Sequence, residues 1–183
     1  MSKVWNYTSK KNGKDCLAEQ VDKHGSQLVM TNPVMAIELL KNIPFEDDDI
    51  VLEPACGTGS FYNNFPINTT NIWCEINKGI DFLDWDDDDK VEYVISNPPF
   101  IPRKLFWDFH LKAMNITTKG IYWLINLSAL NVFTTKRLCE MNEKGWYIQS
   151  MRIVNDRRWF GRYAFIHISR GKSNFITYDR TTY

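Results

Sequence analysis

The 183-residue sequence has no apolar run near the roughly 18 residues that a membrane-spanning helix needs. Its first residues, Met1-Ser2-Lys3-Val4-Trp5-Asn6, lack the apolar core of a signal peptide. The expectation is a cytoplasmic protein with no membrane partner. Cys16, Cys56, Cys74 and Cys139 are scattered, without a CxxC pair or a histidine at ligand spacing. Neither a disulfide frame nor a structural metal is expected, and the thiols should be free. His24, His110 and His167 form no recognisable pair with a nucleophile, which leaves a Ser or Cys hydrolase without support. There is no internal repeat and no low-complexity linker beyond the acidic run at 86–89, read as a solvated loop. The length suits one domain with a real core and leaves no room for a second large module.

A net charge of zero is also an absence, but it conceals a division. Residues 1–100 carry 8 Lys+Arg against 17 Asp+Glu, a net of −9, whereas 101–183 carry 14 against 5, a net of +9. The basic excess includes Arg152, Arg157, Arg158, Arg162, Arg170 and Lys172. Gathered on one face these would mark a polyanion surface; scattered, they are solvated charges balancing the acidic half.

Residues 1–23 are polar without a clear period and read as an irregular arm, leaving 24–183 as a single domain. Thr31-Asn32-Pro33 reads as a cap, followed by a helix that ends before Pro44. Strands are expected at 50–52, 72–75, around 82–83 and at 93–96; a helix at 106–114; a strand at 121–127; a helix at 131–143; and strands at 147–154 and 164–169. Residues 175–178 are a candidate edge strand. Alternating strands and helices with terminal strands argue for an α/β fold, a parallel sheet with an antiparallel addition at one edge.

Two segments carry the chemistry. Val51-Leu52-Glu53-Pro54-Ala55-Cys56-Gly57-Thr58-Gly59 is a buried strand running into a glycine turn that opens a helix, so the backbone can approach a ligand closely at the carboxyl edge of the sheet. Val94-Ile95-Ser96-Asn97-Pro98-Pro99-Phe100 delivers a carboxamide to the same edge, with two prolines stiffening the chain and an aromatic beyond them. Glu75 ends the second strand, the position from which an acid accepts ribose hydroxyls in Rossmann-like sheets.

These residues resemble the S-adenosylmethionine-dependent amino-methyltransferases, in particular the DNA adenine-N6 family, with its DPACGTG-type loop and (N/D)PP(Y/F) tetrapeptide. The likeness spans about residues 24–168. It implies a Rossmann-like methyltransferase fold, a mostly parallel seven-stranded sheet with an antiparallel edge, and S-adenosyl-L-methionine as cofactor. It further implies transfer of a methyl group to an exocyclic amino nitrogen, adenine N6 in DNA. The donor would lie on Thr31, Glu53, Pro54, Ala55, Cys56, Gly57, Gly59, Glu75, Asp81 and Phe82. Within that set, Glu53 addresses the ammonium, the turn at 57–59 the carboxylate, Glu75 the ribose, and Asp81 with Phe82 the adenine. Asn97, Pro98, Pro99 and Phe100 form the catalytic tetrapeptide: the Asn97 oxygen and the Pro98 carbonyl accept the amino hydrogens, and Phe100 stacks on the base, which must be flipped out or single stranded.

Three departures from the family pattern stand out. Glu53 replaces the commoner Asp, Asn32 separates Thr31 from Pro33, and only five residues separate Glu75 from Asp81, too few for a crossover helix. The sheet is therefore expected to be trimmed between strands two and three. Trp159, Phe160 and Arg162 would form a second wall of the base pocket or, equally, a hairpin at the core edge. After Phe100 only 83 residues remain, without room for a separate recognition domain. That suggests a compact, phage- or prophage-like DNA-binding enzyme of low or short sequence specificity, in host cytoplasm if viral, or one that borrows a specificity subunit; a homodimer is left open. Two alternatives stand beside DNA: methylation of an RNA base or of protein glutamine, and a catalytically silent subunit that binds S-adenosylmethionine or nucleic acid.

Overall fold

The computed structural model describes residues 9–11, 14–16, 20–21, 27–28, 30–155 and 162–172, the first four segments as backbone alone. The main elements are α1 (Pro33–Leu40), β1 (Ile50–Glu53), β2 (Thr70–Trp73), β3 (Val91–Ser96), α2 (Arg103–Ile116), β4 (Thr117–Asn126), α3 (Thr135–Glu143), β5 (Trp146–Val154) and β6 (Tyr163–Arg170). One sheet runs in the order β2, β1, β3, β4, β6, β5. The first four strands are parallel, and β6 is antiparallel to both β4 and β5. Where the sequence suggested an irregular arm, Ser9–Lys11 pairs with Lys14–Cys16, and Gln20–Val21 pairs with Gln27–Leu28.

The central strands read as near-continuous apolar runs because both sheet faces are covered. Val51 and Leu52 of β1, Val94 and Ile95 of β3, and Ile121, Trp123, Leu124 and Ile125 of β4 are fully buried. Alternation in β4 sends Tyr122 and Trp123 to opposite faces. Trp123 meets Phe106 of α2 edge to face at 6.2 Å, while Tyr122 stacks on Phe165 at 5.5 Å, which in turn stacks on Phe61 at 6.1 Å. On the α2 side, the Trp123 indole N–H donates to His110 Nδ1 at 3.1 Å, and burial drives the His110 pKa down to about 3, so this imidazole is neutral.

Asn32, not Thr31, caps α1: its side chain accepts from Val34 N at 3.0 Å, with Pro33 at the first helical position. The helix expected at 131–143 begins only at Thr135, capped by Thr134, and a 3-10 segment, Leu127–Val132, precedes it.

The expected seventh strand is not found among the described residues, and the sheet has six strands. After β2 the chain makes a 3-10 turn at Ile76–Lys78, closed by Gly79 at φ 85° and an antiparallel bridge between Glu75 and Ile80. The residues expected as strand three, 82–83, lie in another 3-10 turn, Phe82–Asp84, because the Asp81 carboxylate accepts Leu83 N at 3.0 Å and starts a turn. Five residues cannot cross the sheet, so the chain stays at its carboxyl edge. The candidate strand at 175–178 lies outside the described residues.

Candidate active site

The carboxyl ends of β1, β2 and β3 open on one cleft with an empty volume of about 840 Å³, part of it open to solvent. Of the expected donor-side residues, Thr31, Glu53, Pro54, Ala55, Cys56, Gly57, Glu75, Asp81 and Phe82 all line it, and so do Asn97, Pro98 and Pro99. Gly59 stands just behind, at φ 82°, where a Cβ would come within 2.6 Å of the Asn63 side chain; Gly57 has φ 54°. Both glycines hold left-handed backbone that L side chains resist, and the turn closes on itself, with Gly59 N donating to the Cys56 carbonyl at 2.8 Å.

Two carboxylates dominate the electrostatics. Glu53 is 2% exposed; it accepts Tyr62 N at 2.7 Å and a hydrogen bond from the Cys56 thiol. Burial raises its pKa well above the ordinary value of 4.5, the hydrogen bonds from Tyr62 and Cys56 partly offset this, and nearby Glu75 adds to the rise. The Cys56 thiol is itself pushed up to about 12, chiefly by burial and then by the charge of Glu53, so it is no nucleophile at neutral pH. Glu75 spans two segments: Oε2 accepts Gly57 N at 2.7 Å, and Oε1 accepts Asn77 N at 3.0 Å and Asn77 Nδ2 at 2.9 Å.

Thr31 joins the two motifs. Its carbonyl accepts the Ser60 hydroxyl at 2.7 Å, and its own hydroxyl accepts from Asn97 Nδ2 at 3.3 Å. Because Asn32 has taken over the helix cap, Thr31 is left to make this bridge across 66 residues of sequence.

Some placements differ from expectation. Phe100 does not line the cleft: it is 5% exposed and packs edge to face on Tyr163 at 6.4 Å. Arg162 is exposed at the start of β6, also outside the lining, and its carbonyl accepts Leu127 N at 2.9 Å. Trp159 and Phe160 lie outside the described residues. Conversely, Met30, Ser60, Asn77, Leu105 and Phe109 line the cleft without having been singled out. Leu105 and Phe109 stand four apart on α2, the spacing of one helix face, directly after the tetrapeptide; that period was the available signal. Phe109 packs on Phe82 at 5.0 Å, giving the cleft an apolar end beside Asp81.

No family model matches the sequence, and no curated protein matches it. Solved structures do match. A Pyrococcus horikoshii protein provisionally assigned as an RNA methyltransferase superposes with a TM-score of 0.58 at 16% identity, over 75% of this chain and 83% of that one. The E. cuniculi Mtq2-Trm112 complex, responsible for methylation of the eRF1 translation termination factor, contains a match with a TM-score of 0.53 at 16% identity, over 76% and 94%. Magnesium protoporphyrin IX methyltransferase from Synechocystis PCC 6803, solved with bound S-adenosylmethionine, matches with a TM-score of 0.50 at 9% identity, over 76% and 78%. The chain thus has the class I S-adenosylmethionine-dependent methyltransferase fold. The names of these proteins point to unlike acceptors, so the fold leaves the acceptor undetermined.

Proposed function

We propose that this protein binds S-adenosyl-L-methionine in the cleft and methylates an exocyclic amino nitrogen, with adenine N6 in DNA as the acceptor. The observation that carries this reading is the single cleft holding both motifs, with Asn97 tied through Thr31 to the donor side.

The cleft fits the cofactor by its own chemistry. Glu53 is a buried carboxylate whose ionised form is penalised by its surroundings, and a cationic ammonium beside it would offset that penalty. At the glycine turn, Gly57 N already donates to Glu75 Oε2 and Gly59 N to the Cys56 carbonyl, so a ligand carboxylate that takes the Gly57 N–H must displace Glu75 from it. Glu75 faces a diol with one clear limit: Oε1 already accepts two hydrogen bonds from Asn77, so taking both hydroxyls requires Glu75 to release one of its present donors. Asp81, Phe82, Leu105 and Phe109 make an apolar slot with one acid at its edge, which suits a purine carrying an amino group.

When bound, S-adenosylmethionine supplies an electrophilic methyl group on a sulfonium. The work of this chain's residues lies on the acceptor. The Asn97 amide nitrogen donates to Thr31; in this reading its oxygen and the Pro98 carbonyl are the acceptors that meet an incoming amine. Accepting both amino hydrogens localises the nitrogen lone pair that the purine ring otherwise delocalises. Positioning and electrostatics then do most of the work, with little need for a strong base. Pro98 and Pro99 supply flat apolar surface, while buried Phe100 anchors the tetrapeptide. DNA is preferred as substrate because the loop at 53–59 and the Asn97-Pro98-Pro99-Phe100 tetrapeptide together resemble the signatures of the DNA adenine-N6 family, although Asn-Pro-Pro-aromatic motifs also serve RNA bases and protein glutamine.

The test is Asn97→Ala. Calorimetry should show S-adenosylmethionine binding within about threefold of wild type, while N6-methyladenine formation in unmethylated DNA falls at least about 10²-fold. Equal loss of binding and transfer would instead place Asn97 in the donor site.

A further inference from the structure

Strand direction fixes which loops share an edge of the sheet. The loops leaving β3 and β4, and the loop entering antiparallel β6, all lie at the edge that carries the cleft. Arg103 and Lys104 open α2 directly after the tetrapeptide, Lys136 and Arg137 open α3, and Arg162 precedes β6. Arg103, Lys104, Lys136 and Arg162 are exposed. Arg137 lies over Trp107 at 4.5 Å and donates to the Val132 carbonyl at 2.9 Å, so it is pinned at the same edge. The nearest carboxylates on these helices sit a turn further on: Asp108 is 2.6 Å from Lys104, and Glu140 is 3.9 Å from Lys136. Exposed pairs of this kind contribute at most about 1 kcal/mol and exchange readily for a phosphate.

The opposite edge carries two acidic loops. The loops entering β1 and β3 hold residues 46–49 and 86–89, every one of them Asp or Glu, and Ile50 N donates to Glu92 Oε2 at 2.9 Å between the two strands. Lys119 holds Glu46 and Asp49, Lys112 holds Asp87 at 2.8 Å, and Lys90, Lys144 and Arg170 stand at the same edge. The cleft edge is mixed in turn: Glu53, Glu75 and Asp81 lie inside the cleft, and the exposed cations lie outside its lining. Cations so placed attract a polyanion to the acceptor side. Beside them, Ile101 is 39% exposed between Phe100 and Arg103, an apolar tip of the kind that lies against bases.

We propose that Arg103, Lys104, Lys136 and Arg162 form a phosphate-tracking surface along the acceptor side of the cleft, which holds a nucleic-acid strand so that one base reaches Asn97. This inference rests on the amino-methylation reading above and specifies how its substrate is held. The grip is on the backbone, and base contacts are confined to the pocket and its rim.

The experiment measures the affinity of the full chain for a fluorescent unmethylated DNA duplex, and for an RNA of the same sequence, across a series of salt concentrations. The variants carry Arg103→Gln, Lys104→Gln, Lys136→Gln and Arg162→Gln together or, as a control, Asp47→Asn with Asp88→Asn at the far edge. Removing one cation that neutralises a phosphate lowers the slope of log affinity against log salt by about 0.9 on duplex, so the fourfold variant should be shallower by about 3.6 and roughly 10²-fold weaker at moderate salt. S-adenosylmethionine affinity should stay within about twofold, which shows that the variant is folded, and the far-edge control should keep the wild-type slope. If wild type methylates nucleic acid while the fourfold variant keeps its slope, or if both variants change it equally, the surface is overturned and the methylation reading stands. If wild type labels only protein, the nucleic-acid surface falls together with the choice of substrate.

Discussion

Glu53 is the residue whose state most depends on what fills the cleft. Its folded-state pKa is raised, so without ligand it contributes stability at low pH and loses that contribution as pH rises through the folded value. A cation alongside reverses the preference, and binding then expels a proton. Affinity for S-adenosylmethionine should therefore rise with pH from the ordinary carboxylate value of 4.5 up to the raised folded value and level off above it. Glu53→Gln should flatten this profile and weaken binding by about tenfold on its plateau, as read by calorimetry; a wild-type affinity indifferent to pH above the ordinary carboxylate range would contradict the assignment. Phe100 makes a second test at this scale. Because it is buried on Tyr163, Phe100→Ala should cost about 3 kcal/mol in urea unfolding. A variant of unchanged stability whose only defect is a raised KM for DNA would restore Phe100 as a stacking surface. The polar cleft residues were legible because a strand-end acid, a glycine turn and a carboxamide before two prolines have few other uses together. Leu105, Phe109 and Met30 were not, because an apolar residue lining a cleft looks in sequence like one in the core. The burial of Phe100 depends on Tyr163, 63 residues away, and no local pattern shows that contact.

Among the elements, the connection from β2 to β3 departs most from the usual arrangement. Its brevity was plain in the sequence, since five residues between Glu75 and Asp81 exclude a crossover helix. Its conformation was not: Phe82 and Leu83 suit a strand by composition, and the side chain of Asp81 decides for a 3-10 turn. Gly79 is the hinge of this corner. A Cβ there would meet nothing within 4 Å, so Gly79→Ala tests backbone strain alone, at φ 85°. It should cost about 1 kcal/mol, measured as a lower urea midpoint at unchanged m-value, and should weaken S-adenosylmethionine binding only slightly. A larger loss of binding than of stability would show that the turn moves when the cleft fills. The start of α3 shows the opposite failure of local reading. The apolar residues before Thr134 suggested one helix from 131, yet that segment folds as 3-10 turns packed under α2, with Ala129 and Val132 buried.

For the whole molecule, the alternation of strands and helices was enough for the α/β class, and the order of motifs for the methyltransferase sheet, because parallel strands with buried faces leave few topologies open. The insertion of β6 between β4 and β5 follows from long-range pairing, seen in Tyr163 opposite both Asn126 and Val154. The charge division was visible as two halves of the sequence, but the strand directions mix the halves: Glu53, Glu75 and Asp81 stand at the cleft, and Arg170 at the far edge. The choice of acceptor is decided by exposing purified protein to methyl-labelled S-adenosylmethionine with unmethylated DNA, bulk RNA and a protein extract in parallel. The products are digested to nucleosides and amino acids for mass spectrometry. Label should appear as N6-methyladenine from DNA and vanish in Asn97→Ala; label confined to RNA or to protein, or no transfer despite measurable cofactor binding, would overturn the proposed function.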